Sequence, residues 1–86
     1  MTITKQTVAD KIAAYLHHEI TLAKLVDWAE SALMEGDLAE GDAAILAQVI
    51  ARLGVADIRA FGLAWEDCEE LLRLLGFSPR VQVVAV

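Results

Sequence analysis

The chain has 86 residues, 57% of them hydrophobic, with one cysteine and a formal net charge of −6. That bounds it to a single small domain and excludes an internal disulfide framework. Excess carboxylate also disfavours bare nucleic acid and anionic lipid as partners, because phosphates repel it.

No run approaches the roughly 20 apolar residues of a membrane span. The first six residues lack the long apolar segment of a signal peptide, so a reducing cytoplasm is the expected location. Fifteen alanines favour helix and close helix packing over a thick core. A chain of this size buries only about 60–65% of its unfolded surface. Some of its forty-nine hydrophobic residues must therefore stay exposed or meet another chain.

Helix entrances are the clearest local signals. Ile3-Thr4 precedes Val8 and Ile20-Thr21 precedes Leu25. Each threonine can cap free backbone N–H groups, and each isoleucine can close on the apolar residue five positions later. The first helix is predicted over about 5–18, burying Val8, Ile12, Tyr15 and Leu16. The second is predicted over about 22–34, with Leu22, Leu25, Val26, Ala29, Ala32 and Leu33 on one face. Gly36 to Gly41 forms a polar break with Leu38 tucked back onto the bundle. Asp42 should cap a third helix over about 43–53, with Ile45, Leu46, Val49, Ile50 and Leu53 inward and Gly54 as a left-handed end.

Val55, Ile58 and Phe61 are three apart, which suits a fifth, short helix or a 3₁₀ turn. Leu63-Ala64 opens the last helix, over about 65–75, without a capping oxygen; Glu66 and Asp67 offer charge to its positive end instead. Gly76 stops it, and Phe77 should cover Leu72. Residues 80–86 are β-branched and nearly uncharged, so they read as a strand needing a partner. Thr2-Ile3-Thr4, the same segment of a second copy or another protein would serve, and in a homodimer Val81, Val83, Val84 and Val86 would form the shared strand.

The chemistry-bearing residues do not fall into a catalytic or metal pattern. His17 and His18 point about 100° apart on a helix and cannot share one ion. Cys68 lies on an apolar stripe among acidic neighbours, which oppose thiolate formation. Glu66 and Glu70 are one turn apart on a solvated face, and Glu69 precedes Arg73 by four as a surface ion pair. Gly36 to Asp42 fails the calcium-loop spacing, since Gly36 and Leu38 stand where carboxylates are required. A helix-turn-helix reading of 55–75 puts four acids and one arginine on the recognition helix, which phosphate would repel. No cofactor or metal is expected.

What remains is charge and shape. Between Lys24 and Arg52 stand Asp27, Glu30, Glu35, Asp37, Glu40 and Asp42 with no basic residue. Trp28 and Trp65 flank apolar stripes, either closing a core edge or anchoring an interface. Leu74, off its stripe, would extend that contact surface if exposed. The runs Ile20-Thr21-Leu22-Ala23-Lys24-Leu25-Val26-Asp27-Trp28-Ala29-Glu30 and Phe61-Gly62-Leu63-Ala64-Trp65-Glu66-Asp67-Cys68 resemble segments of small acidic helical bacterial proteins. Some of those resemble bacteriocin- or toxin-immunity proteins, so the resemblance implies action by binding. It covers about half the chain and carries over no functional residue.

The reading is an all-α bundle of four helices, or five, with a C-terminal strand. Its expected function is non-catalytic protein–protein interaction with another protein, basic in character, or a second copy. Trp28 and Trp65 would anchor the contact, and Glu30, Glu35, Asp37 and Glu40 would steer encounter. Two alternatives stand beside it: a homodimer joined through the C-terminal strand, and a small enzyme using His17, His18 and the clustered carboxylates.

Overall fold

The computed structural model describes residues 2–56 and 63–77. Their order is β1 (Thr2–Ile3), α1 (Lys5–Leu16), α2 (Leu22–Glu35), β2 (Asp37–Leu38), α3 (Ala43–Gly54) and α4 (Trp65–Leu74). This is a small all-α bundle with one minimal parallel ladder. Residues 57–62, where a fifth helix was considered, and the predicted strand at 80–86 lie outside the described residues.

Capping chemistry sets the first two helix starts. Thr4 Oγ1 accepts the Thr7 N–H at 3.2 Å, and Thr7 Oγ1 accepts the Thr4 N–H at 3.2 Å. Thr21 Oγ1 takes the Lys24 N–H at 3.2 Å. Ile3 and Val8 are both buried in the core, and Ile20 packs against the core that holds Leu25, as apolar closure at these helix starts requires. At α4, Asp67 Oδ2 accepts the Ala64 N–H at 2.8 Å, the half of a capping box that needs no oxygen at Ala64. Asp42 departs from expectation. It precedes α3 but makes no side-chain cap bond. Its carboxylate lies 3.7 Å from Lys5 Nζ instead, so a charged partner from α1 has replaced the backbone donors.

The helix ends differ from one another. Gly76 has φ 91°, Gly76 N–H donates to Arg73 O at 2.9 Å, and Phe77 N–H donates to Leu72 O at 2.8 Å. This is a Schellman ending, with Phe77 packed on the core as predicted. Gly54 is not left-handed: it belongs to α3, and the chain leaves through a turn in which Ala56 N–H donates to Leu53 O at 3.1 Å. Buried Ala56 keeps that turn on the core. The end of α1 holds a Schellman ending that composition does not announce. His18 occupies the left-handed position at φ 61°, with His18 N–H on Tyr15 O at 3.1 Å and Glu19 N–H on Ala14 O at 2.8 Å.

Thr2–Ile3 does have a strand partner, but it is β2. The pairing is parallel, Thr2 to Asp37 and Ile3 to Leu38, and Ala39 N–H donates to Ile3 O at 2.9 Å. This local partner for the N-terminal segment was not foreseen. Gly36 makes it possible by close approach: a Cβ there would run into the Ala32 carbonyl oxygen and Ile3 Cδ1. Its own φ of −75° is ordinary, so the constraint is space and not backbone sign.

The core is Val8 and Ile12 of α1, Leu25, Ala29 and Ala32 of α2, Leu46, Val49, Ile50 and Leu53 of α3, and Cys68, Leu71, Leu72 and Leu75 around α4. Of the residues assigned to inward faces, Tyr15, Leu16 and Leu22 are only partly buried, and two are exposed: Leu33 at 46% and Ile45 at 37%. Each sits at the margin of its stripe, beyond the arc that the neighbouring helix covers. Arg52 of α3 lies 3.6 Å from Asp67 of α4, and Gln48 shares a groove with Leu71 and Leu74. The two helices therefore run antiparallel. The end of α1 likewise meets the start of α4, where Tyr15, Leu16 and His18 face Leu63, Ala64 and Trp65.

Candidate functional site

Four of the acidic residues singled out in the sequence are exposed along α2 and the connection to α3. Glu30 and Glu35 lie on the second half of α2, Asp37 opens β2, and Glu40 sits in the connection to α3; all four are exposed. Among the described residues none of the four forms an ion pair. Lys5 pairs with Asp42 in the same connection to α3, whereas Arg52 pairs with Asp67, and Arg73 with Glu69 at 3.0 Å, on α4. Within the same α2 end, Met34 is 82% exposed and Leu33 about half exposed. Apolar contact area is thus interleaved with uncompensated negative charge.

Neither tryptophan belongs to that surface. Trp28 is half-buried against the core, and Lys11 Nζ sits 5.7 Å from its ring centroid. Its helical position, two residues before Glu30, turns it about 200° away from that carboxylate and towards α1. Glu30 faces the other flank, with its Cγ 4.0 Å from the Cβ position at Gly54. Trp28 closes a core edge and carries a cation–π contact. Trp65 is 40% exposed and walls a hollow of about 170 Å³ with Tyr15, Leu16, His18, Leu63 and Ala64. The large apolar side chains exposed beside Glu30 and Glu35 in the sequence are Leu33 and Met34, the first of which periodicity placed on the inward face.

Leu74 is exposed, as its off-stripe position suggested, but it does not extend the Trp65 surface. It lies on the α3 side of α4, in a groove of about 310 Å³ with Gln48, Arg52, Asp67, Glu70 and Leu71. Trp65 faces α1.

The remaining candidates are dispersed. His17 is exposed at the end of α1, its Nδ1 3.9 Å from the Glu19 carboxylate, while His18 turns to the Trp65 hollow. Among the described residues no carboxylate lines that hollow, and no group of three or more His, Cys, Asp or Glu side chains is placed to hold a metal ion. Glu66 and Glu70 are exposed on α4. Cys68 is fully buried, and burial, with the Asp67 charge adding and the Arg52 charge opposing, pushes its thiol up to about 11. At neutral pH it is a protonated core residue. Val81, Val83, Val84 and Val86, the expected dimer strand, lie outside the described residues.

The described surface thus carries exposed acidic and apolar side chains on α2 and the connection to α3, a hollow beside Trp65 and a groove between α3 and α4. No helix among the described residues is long and apolar enough to cross a membrane. In comparisons with known proteins, no family model matches the chain, and neither does any curated protein or solved structure.

Proposed function

We propose that the chain is a non-catalytic protein-binding module that meets a basic partner through the acidic end of α2 and the connection to α3, in the manner of an immunity protein or antitoxin. One observation carries this reading: Met34 and Leu33 are exposed among Glu30, Glu35, Asp37 and Glu40, and those carboxylates have no ion-pair partner among the described residues. Exposed apolar side chains supply contact area, while an unneutralised field raises encounter rate and discriminates against acidic partners. The surplus of thirteen acidic over seven basic side chains also works against self-association through this same end.

The test is capture of partners by the immobilised full chain at low and high salt, in parallel with Met34→Glu and a Glu30→Lys/Glu35→Lys variant. The reading expects a basic protein whose capture falls with ionic strength and fails with either variant. A partner held equally at all salt concentrations, or indifferent to both variants, would remove the acidic end from the account.

A further inference from the structure

We propose that the hollow between the end of α1 and the start of α4 is a receptor for a cationic head group, the guanidinium or ammonium of a partner's side chain. The inference rests on the basic-partner reading above and adds a second point of contact, distant from the α2 end.

Lining chemistry comes first. Of the six described residues around the hollow, Tyr15, His18 and Trp65 carry rings, Leu16, Leu63 and Ala64 are apolar, and none is a lysine or arginine. Aromatic faces attract cations through their quadrupole, and recognition is strongest where several rings converge. The protein already uses this interaction once, with Lys11 over Trp28. At about 170 Å³ the hollow is smaller than the usual range for metabolite pockets, and it suits the end of one side chain. Trp65, 40% exposed, leaves it accessible.

No carboxylate is among the described residues around the hollow, so the attraction rests on the rings and on the helix ends beside it. The hollow adjoins the C-terminal end of α1, where helix carbonyls present partial negative charge. The opposing positive end of α4 is answered by Asp67, which accepts the Ala64 N–H, and by Glu66 in the same first turn. Glu19 follows His18, and the neighbouring His17 points to Glu19. The backbone contributes too. His18 forms part of the wall of the hollow from a left-handed conformation that glycine would adopt more easily.

The experiment titrates the full-length ¹⁵N-labelled protein with three small probes: N-acetyl-arginine amide, N-acetyl-trimethyllysine amide and the neutral isostere N-acetyl-citrulline amide. The readout is the Trp65 indole N–H resonance. Saturable shifts are expected with the cations, and the stronger of the two identifies guanidinium or quaternary ammonium as the preferred head group. Citrulline should bind about fivefold to tenfold more weakly. Trp65→Leu, which keeps an apolar side chain without a ring, should abolish the cation preference at unchanged helix content, whereas Trp65→Phe should retain it in part.

Equal binding of citrulline, or an undiminished cation preference in Trp65→Leu, would overturn the proposal. So would cation-induced shifts confined to Glu30, Glu35, Asp37 and Glu40. If Trp65→Leu still captures a basic protein with full affinity, the hollow fails while the binding-module reading stands. Loss of all salt-sensitive capture with intact probe binding does the reverse.

Discussion

Replacing His18 by glycine should make the protein more stable. His18 occupies the left-handed position of the α1 ending at φ 61°, fixed there by the Glu19 N–H bond to Ala14 O at 2.8 Å. A residue with a Cβ pays about 1–2 kcal/mol for that conformation. Glycine escapes that cost but loses more freedom on folding, which returns about 0.4–1 kcal/mol. The difference leaves a gain of about 0–1.6 kcal/mol, centred on about 0.8 kcal/mol, which is roughly 3–6 °C in melting temperature for a domain of this size. Thermal unfolding followed by circular dichroism at 222 nm measures it. His17→Gly is the control, because His17 sits at an ordinary φ of −88° and glycine there should gain nothing. A His18→Gly protein that melts at or below the parent would refute the account of this cap. The same variant should bind the cationic probes less well, so stability and recognition would move in opposite directions.

Three further substitutions or conditions probe the fold. Gly36→Ala should cost about 1–3 kcal/mol in denaturant unfolding through overpacking, because its Cβ meets the Ala32 carbonyl and Ile3; a loss below about 0.5 kcal/mol would contradict the close approach. Asp67→Ala removes the acceptor for the Ala64 N–H and should cost about 0.5–2 kcal/mol, measured the same way, with a neutral result counting against the cap. Cys68 has a raised folded-state value, so its contribution to stability is complete below the ordinary thiol value of 9.0 and is lost as pH climbs towards about 11. Stability measured from pH 8 to 11 should therefore fall more steeply for the parent than for Cys68→Ala, and parallel curves would show that the thiol titrates normally.

The legible parts of this fold are those set by neighbours in sequence. Thr4 and Thr21 with their preceding isoleucines, Asp67 at the α4 entrance, and Gly76 with Phe77 all act within one helical turn or the next. For that reason the four predicted helices agree with the observed ones to within two residues at every end. The errors are tertiary. Asp42 was diverted from its cap by Lys5, distant in sequence. Leu33 and Ile45 keep helical spacing, but periodicity marks the direction of a stripe and not the width that a neighbouring helix covers. Pairing of Thr2–Ile3 with Asp37–Leu38 joins segments about 35 residues apart, and Gly36 is required only because Ile3 arrives there. His18 reads from sequence as an imidazole near a helix C-terminus, and its left-handed role is hidden because glycine or asparagine is the usual signal.

The same distinction applies to the site. Charge clustering is visible along the sequence, and Glu30, Glu35, Asp37 and Glu40 are all exposed. Which apolar side chains stand among them depended on packing, so Leu33 and Met34 replace Trp28 there. Trp65 belongs to a separate hollow that exists only because the end of α1 meets the start of α4.

The association rate of a captured partner, measured by stopped flow across ionic strength, tests the central claim most directly. A steering acidic surface predicts that the rate constant falls by about tenfold or more from low to high salt, while the dissociation rate changes little. An association rate indifferent to salt, or one that rises with it, would contradict recognition through this protein's negative field.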